Sequence, residues 1–356
     1  MGFPHKYVET EPAAGNLPGR RHSSICGAVR AKANDLQPHS ATESVYSFFK
    51  NRNSDATMEK RANQKKAYAL GLAAVCLWST AATAFKLSLR HLGPEPMVFW
   101  ASLTSVVVLA LVLAVQGRLG ELMTLSWTRA RFSLVLGALN PFLYYLVLIR
   151  AYDLLRAQEA QAINYTWAIT MSLLSIPLLG QRIRGLQFLA IGLSYLGALV
   201  ISTHGDLLGF RMESPTGFAL AMGSTVIWAL FWIFGVRDDL DPTLRLFLNF
   251  CCGTLYTGAW ALLAGFPLTP NLPGLLGAAY IGTFEMGVTF VLWISALRLS
   301  RTTAQVSNLI YLAPFLSLFI IHFLVGEAIL PSTLAGLAFI LAGTAVQKLA
   351  DRQTGP

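Results

Sequence analysis

The sequence predicts an all-α polytopic membrane protein: ten transmembrane helices arranged as two inverted five-helix repeats. Three observations lead there. Of 356 residues, 54% are hydrophobic and only 13% charged, against about 25% charged in an ordinary soluble domain. Uncharged stretches from residue 67 onward are repeatedly long enough to cross about 30 Å of hydrocarbon, which takes ~20 helical residues. Finally, residues of the first half recur in the second: 136–158 aligns with 281–303. Lipid leaves peptide groups no water to bond, so such spans are helical, and no ~10-residue alternating segments suggest a barrel.

Residues 1–66 hold 11 basic and 6 acidic side chains, leaving 28 charges for the following 290 residues. The tail is polar, broken by Pro4, Pro12, Pro18 and Pro38, and carries no apolar run able to form a core; it reads as disordered and cytoplasmic. Met58-Glu59-Lys60-Arg61, followed by Lys65-Lys66 and a span, looks like a chain start, so residues 1–57 read as an upstream extension. A transit peptide is the rival, and Glu9, Glu11, Asp35 and Glu43 weigh against it. The spans then run 67–85, 96–117, 132–149, 160–181, 185–205, 214–236, 246–264, 274–297, 302–326 and 328–347. Gly265-Phe266-Pro267 and Pro270-Asn271-Leu272-Pro273 divide the seventh from the eighth. The repeats are thus 67–205 and 214–347, with a cytoplasmic C-terminal tail at 348–356.

Cation placement sets the orientation. With the N-terminus inside, the cytoplasmic ends collect 15 Lys and Arg and the opposite side only Lys86, Arg90, Arg150, Arg156 and Arg211. That bias makes both termini cytoplasmic. It also accounts for the net charge of +9 without a nucleic-acid partner. In the repeat, Gly137 aligns with Gly282, Asn140 with Glu285, Tyr145 with Phe290 and Ala151 with Ala296. An odd number of spans per repeat turns the halves upside down relative to each other, the plan of secondary transporters with a midplane site.

Candidate site residues are therefore polar and aromatic groups at mid-helix. Glu285 stands near the centre of the eighth span, where a carboxylate costs at least ~2.5 kcal/mol on insertion scales. It should face a cavity, be paired or hold a proton, which makes it the candidate for proton coupling; a protonated Glu bonded to a neighbouring helix is the alternative. Its mate Asn140 is polar as well, and at i+4 from the two sit Tyr144 and Thr289. Asn164 and Trp167 in the fourth helix, and Asn308 and Tyr311 in the ninth, are each spaced i,i+3. They either bind solute or bond neighbouring helices. Trp78 and Trp228 occupy equivalent mid-helix positions, as cavity walls or as core packing. Lys86 is read as snorkelling, Glu159 as an interfacial ion pair with Arg156, and His322 as a second titratable candidate. No cofactor is expected, and Cys26, Cys76, Cys251 and Cys252 lack metal-ligand spacing. HExxH, GxSxG and Walker glycine loops are all absent from the sequence, so catalysis is not expected.

The two fives of helices, the Leu77-Trp78-Ser79 run, the alanine-spaced start of the fourth helix and Pro314 with Gly326-Glu327 closing the ninth resemble the drug/metabolite transporter superfamily. The likeness is to its EamA-domain exporters over residues 67–350, and closest to the branch of bacterial aromatic amino-acid exporters. It implies a cavity between the first, third, fourth, sixth, eighth and ninth helices, residence in the inner (plasma) membrane, and efflux of amino acids or similar metabolites. Gln181 departs from the acidic residue that many relatives place there. The expected partners are a small solute and the bilayer, with the protein a monomer or weak homodimer. A carrier of sugar phosphates or nucleotide sugars is the alternative, and a membrane enzyme or scaffold a more distant one; the former would want several cations at mid-depth.

Overall fold

The computed structural model describes residues 63–179, 185–209, 212–235, 240–301 and 306–352. The N-terminal tail with Met58, the Gly180-Gln181 corner and residues 353–356 lie outside the described residues. Among the described residues there is no strand. Among the described residues, nine helices are long and apolar enough to cross a membrane. They are α1 (Gln64–Leu89), α2 (Pro94–Val115), α3 (Trp127–Leu154), α5 (Gly185–Ser202), α6 (Pro215–Gly235), α7 (Pro242–Leu263), α8 (Leu272–Leu299), α9 (Asn308–Val325) and α10 (Pro331–Arg352). The expected fourth span is present between α3 and α5 as two shorter helices, Ala157–Asn164 and Trp167–Leu179, together α4.

At the break in α4 the Ile163 carbonyl accepts both from the Thr166 N–H at 3.0 Å and from the Thr166 hydroxyl at 2.8 Å, an i→i−3 turn tighter than the α-helix on either side. Thr80 does the same inside α1, where its N–H and hydroxyl both reach the Leu77 carbonyl, at 3.0 and 2.6 Å. In α9 the first turn, Asn308–Leu312, is 3-10 wound. Pro314 has no N–H to offer the Ile310 carbonyl. Trp127, between the bounds 96–117 and 132–149 expected of the second and third spans, opens α3: the Ser126 carbonyl accepts from the N–H groups of Arg129 and Ala130. Helix starts follow the sequence punctuation, with the Asp241 and Asn271 side chains capping α7 and α8. Gly265 at φ +74° and Gly326 at φ +84° end α7 and α9, in the left-handed region that glycine tolerates.

The helices pack in pairs that exchange under the repeat. α1 lies on α8, as α6 lies on α3; α8 crosses α2, as α3 crosses α7; α2 pairs with its own mate α7, and α5 with α10. The crossings are close where glycine permits. A β-carbon on Gly137 of α3 would sit 2.6 Å from the Asn249 carbonyl oxygen of α7. Large apolar side chains such as Leu111, Leu263 and Phe323 point outward, as lipid-facing surfaces require. The main buried core draws on every helix from α1 to α9, with Phe85, Tyr145, Ile163, Phe250 and Ile281 among its buried side chains.

Candidate functional site

Two helix segments set the site. In α3 the helix kinks at Asn140, whose φ −144° and ψ 119° are not helical; in α8, Ile281–Val288 are π-wound. Hydrogen bonds of the i→i+5 type add a residue to the turn, so the side chain five positions on, rather than four, returns to the same face. The i+4 reasoning that pairs Thr289 with Glu285 is therefore corrected. Thr289 is wholly buried and its hydroxyl donates to the Phe284 carbonyl, five residues back. Phe290 takes the place expected of it, and on α3 Tyr145 joins Tyr144.

These turns assemble a polar pair inside a box of rings. The Tyr145 hydroxyl donates to Glu285 Oε1 at 3.3 Å across the gap from α3 to α8. Glu285 Oε2 is buried and has no partner among the described residues. Tyr145 packs edge-on to Tyr144 at 4.9 Å, and Tyr144 stacks on Trp228 of α6 at 4.4 Å and 29°. Trp228 in turn faces Phe290 at 6.2 Å, and Trp78 of α1 lies between Phe290 at 5.5 Å and Trp293 at 5.4 Å. Below the stacked pair, the Tyr144 hydroxyl donates to Asn164 Oδ1 at 3.4 Å, while Asn164 Nδ2 donates to Ser224 at 3.0 Å. Trp78, Tyr144, Asn164, Trp228 and Glu285 thus share one neighbourhood.

Four of the expected residues stand elsewhere, besides Thr289. Asn140 is wholly buried with neither side-chain polar atom partnered among the described residues. Its neighbours Gly137 and Pro141 abut α7 at Asn249–Gly253. Trp167 packs with Met171, Ala229 and Ile233 in a separate apolar cluster. Asn308 is exposed and accepts from Lys348 Nζ at 2.6 Å, and the same ammonium lies 4.4 Å from the Tyr311 ring. Sequence reasoning left out Tyr145, Phe290 and Ser224. The repeat alignment of Tyr145 with Phe290 was the available signal for two of them.

Charged groups gather at the helix ends. Glu159 meets His204 Nε2 at 2.6 Å, closer than the expected partner Arg156 at 3.8 Å, and Glu213 reaches both Arg156 and His204. The donor atoms of Glu159, His204 and Glu213 lie within 4.8 Å of one another, a spacing a cation could bridge. The Arg156 guanidinium at 3.6 and 3.8 Å from the two carboxylates already supplies positive charge there. Glu327 caps α4 from the other half of the chain, accepting from the N–H groups of Ala157 at 2.8 Å and Gln158 at 3.3 Å. His322 is exposed, and its Nδ1 lies 2.9 Å from the Glu327 carbonyl oxygen. At the opposite ends of α2 and α8, Asp241 joins Arg118 at 2.9 Å to Arg298 at 2.8 Å. Burial pushes the Asp241 carboxyl up, but the hydrogen bonds and charges of Arg298 and Arg118 outweigh that and hold it below its usual value.

Similar proteins carry this architecture. The EamA-like transporter family profile matches residues 65–203 and again 215–347. The aromatic amino acid exporter YddG of Ancylobacter novellus is 26% identical over 295 residues, covering 82% of this chain and 100% of that protein. An uncharacterized transporter of Archaeoglobus fulgidus is 24% identical over 247 residues, 67% of this chain and 82% of its own length. One solved crystal structure aligns with 82% of this chain and 99% of its own at TM-score 0.56 and 22% identity, a likeness of fold. With two profile matches that together cover most of its length, the chain belongs to the EamA-like transporter family, within the drug/metabolite transporter superfamily.

Proposed function

We propose that this EamA-family transporter is a secondary carrier that exports small amphipathic metabolites, amino acids or related solutes. It works by alternating access about a midplane chamber, with Glu285 as the proton carrier. The two halves, 67–205 and 214–347, rock against each other in the inner (plasma) membrane with both termini cytoplasmic. The observation that carries this reading is the Glu285–Tyr145 pair enclosed by the rings of Trp78, Tyr144, Trp228 and Phe290. Rings pack the apolar body of a solute, while a few convergent polar groups orient its head. A carboxyl group with one oxygen bonded and one free can exchange a proton or meet an ammonium without dismantling the fold.

Counterflow in proteoliposomes tests it. Wild type should exchange labelled aromatic amino acids with a rate that depends on pH, and Glu285→Gln should flatten that dependence. Unchanged rate and pH profile in the variant would remove Glu285 from the mechanism. Absence of exchange for every amino acid tried would remove the solute class.

A further inference from the structure

A cleft lies where α6, α7 and α8 meet, near the start of α7. Trp232, Arg245, Asn249, Phe290 and Ile294 line it. Its volume, about 30 Å³, admits a water or two. Asn249 is wholly buried, yet neither its Oδ1 nor its Nδ2 has a partner among the described residues. Leaving both ends of a buried carboxamide unpaired costs stability, and an apolar side chain of the same shape would avoid that cost. Phe250, the next residue, shows that this helix buries apolar side chains completely. A carboxamide kept here against stability, on the wall of a cleft, is a group waiting for a ligand.

We infer that this cleft is a second solute subsite and that Asn249 reads the polar head of the solute. The inference rests on the amino-acid reading above. A carboxamide offers a donor and an acceptor side by side, which matches a zwitterionic head bearing both a carboxylate and an ammonium. The Arg245 guanidinium shares the wall, fixed by bonds from Nη1 to the Gly235 carbonyl at 2.6 Å and from Nη2 to the Leu240 carbonyl at 3.2 Å. Trp232, Phe290 and Ile294 supply the apolar wall for the solute body. Phe290 belongs to both sites, since it also faces Trp78 and Trp228. Its ring is the partition between them, and a solute larger than water enters the cleft when that ring turns.

The test pairs binding with stability. Purified full-length wild type, Asn249→Leu and Asn249→Ser are titrated with L-phenylalanine, and the unliganded melting temperature of each is measured. The expected signature is opposed: Asn249→Leu melts at or above the wild-type temperature but binds at least tenfold more weakly, and Asn249→Ser falls between in affinity. Wild-type affinity in Asn249→Leu would mean the cleft holds water alone and would overturn the inference while leaving the solute class standing. A lowered melting temperature in both variants with binding lost in proportion would make Asn249 structural, and overturn it too. Wild type that binds no amino acid would defeat the solute class, and this subsite with it.

Discussion

Removing the Asp241 carboxylate should cost about 2–3 kcal/mol, assembled from separate contributions that can be measured apart. The side chain caps α7 through the Thr243 N–H at 2.9 Å, and losing an N-cap costs about 1 kcal/mol. It also holds Arg118, whose side chain is 25% exposed, and Arg298, which is 40% exposed. Partly exposed pairs of this kind are worth up to about 1 kcal/mol each, with the Arg298 pair discounted further for solvent screening. Asp241→Ala loses everything. Asp241→Asn keeps the cap and loses the charge, so it should fall short of wild type by about 1–2 kcal/mol, a deficit that shrinks in high salt. Because the folded carboxyl titrates below its unfolded value, its contribution is complete above about pH 4 and disappears as pH falls through the folded pKa. Thermal unfolding of purified protein from pH 7 downward therefore should show wild type and Asp241→Asn converging only in strong acid. A gap between them that closes near neutrality, or an Asp241→Ala variant as stable as wild type, would refute the reasoning.

Four further outcomes follow from contacts elsewhere. Gly137→Ala forces a β-carbon to 2.6 Å from the Asn249 carbonyl oxygen and 2.8 Å from the Cys252 β-carbon, and backbone cannot yield cheaply, so the melting transition should lose about 1–3 kcal/mol. Gly192→Ala in α5, with nothing within 4 Å of the new atom, should instead gain up to about 1 kcal/mol. Glu327→Gln should weaken the cap on α4 by about 0.3–1 kcal/mol, and Glu327→Ala by more, as read by the same transition. A double-mutant cycle of Tyr145→Phe with Glu285→Gln should show a coupling of at least about 0.5 kcal/mol, whereas strict additivity would mean that the 3.3 Å contact carries no energy.

The helical spans and their punctuation were legible because hydropathy over ~20 residues overwhelms local detail in lipid. The breaks were not. Nothing in residue type distinguishes Thr166, which sits at the break in α4, from Thr225, whose hydroxyl bonds the carbonyl three residues back in the same way within unbroken α6. At the candidate site, Glu285, Trp78, Tyr144, Asn164 and Trp228 were readable as polar or aromatic groups at mid-depth. Their partner Tyr145 was hidden because the kink at Asn140 breaks the 3.6-residue period that the spacing argument assumes. Asn308 and Tyr311 failed for another reason. Their i,i+3 spacing is real, but it aims both at Lys348 of α10, which sequence distance of about forty residues gave no cause to consider.

The kink of α3 at Asn140 and the π-wound turn of α8 each follow a close glycine crossing with a polar side chain of different chemistry. Gly137 meets α7 at the Asn249 carbonyl, and Gly282 meets α2 at the Ala101 carbonyl; three residues after each glycine stands a polar side chain, Asn140 in one half and Glu285 in the other. The close crossing needs the glycine. It does not need an acid, because the first half makes the same crossing with a buried carboxamide. The crossing itself therefore does not call for a carboxyl group at 285. Glu285→Asn should leave the unfolding transition within about 1 kcal/mol of wild type while the pH dependence of exchange disappears. A variant that unfolds early would show that the acid holds α3 to α8 through Tyr145, and one that transports with the wild-type pH profile would show that the acid is idle.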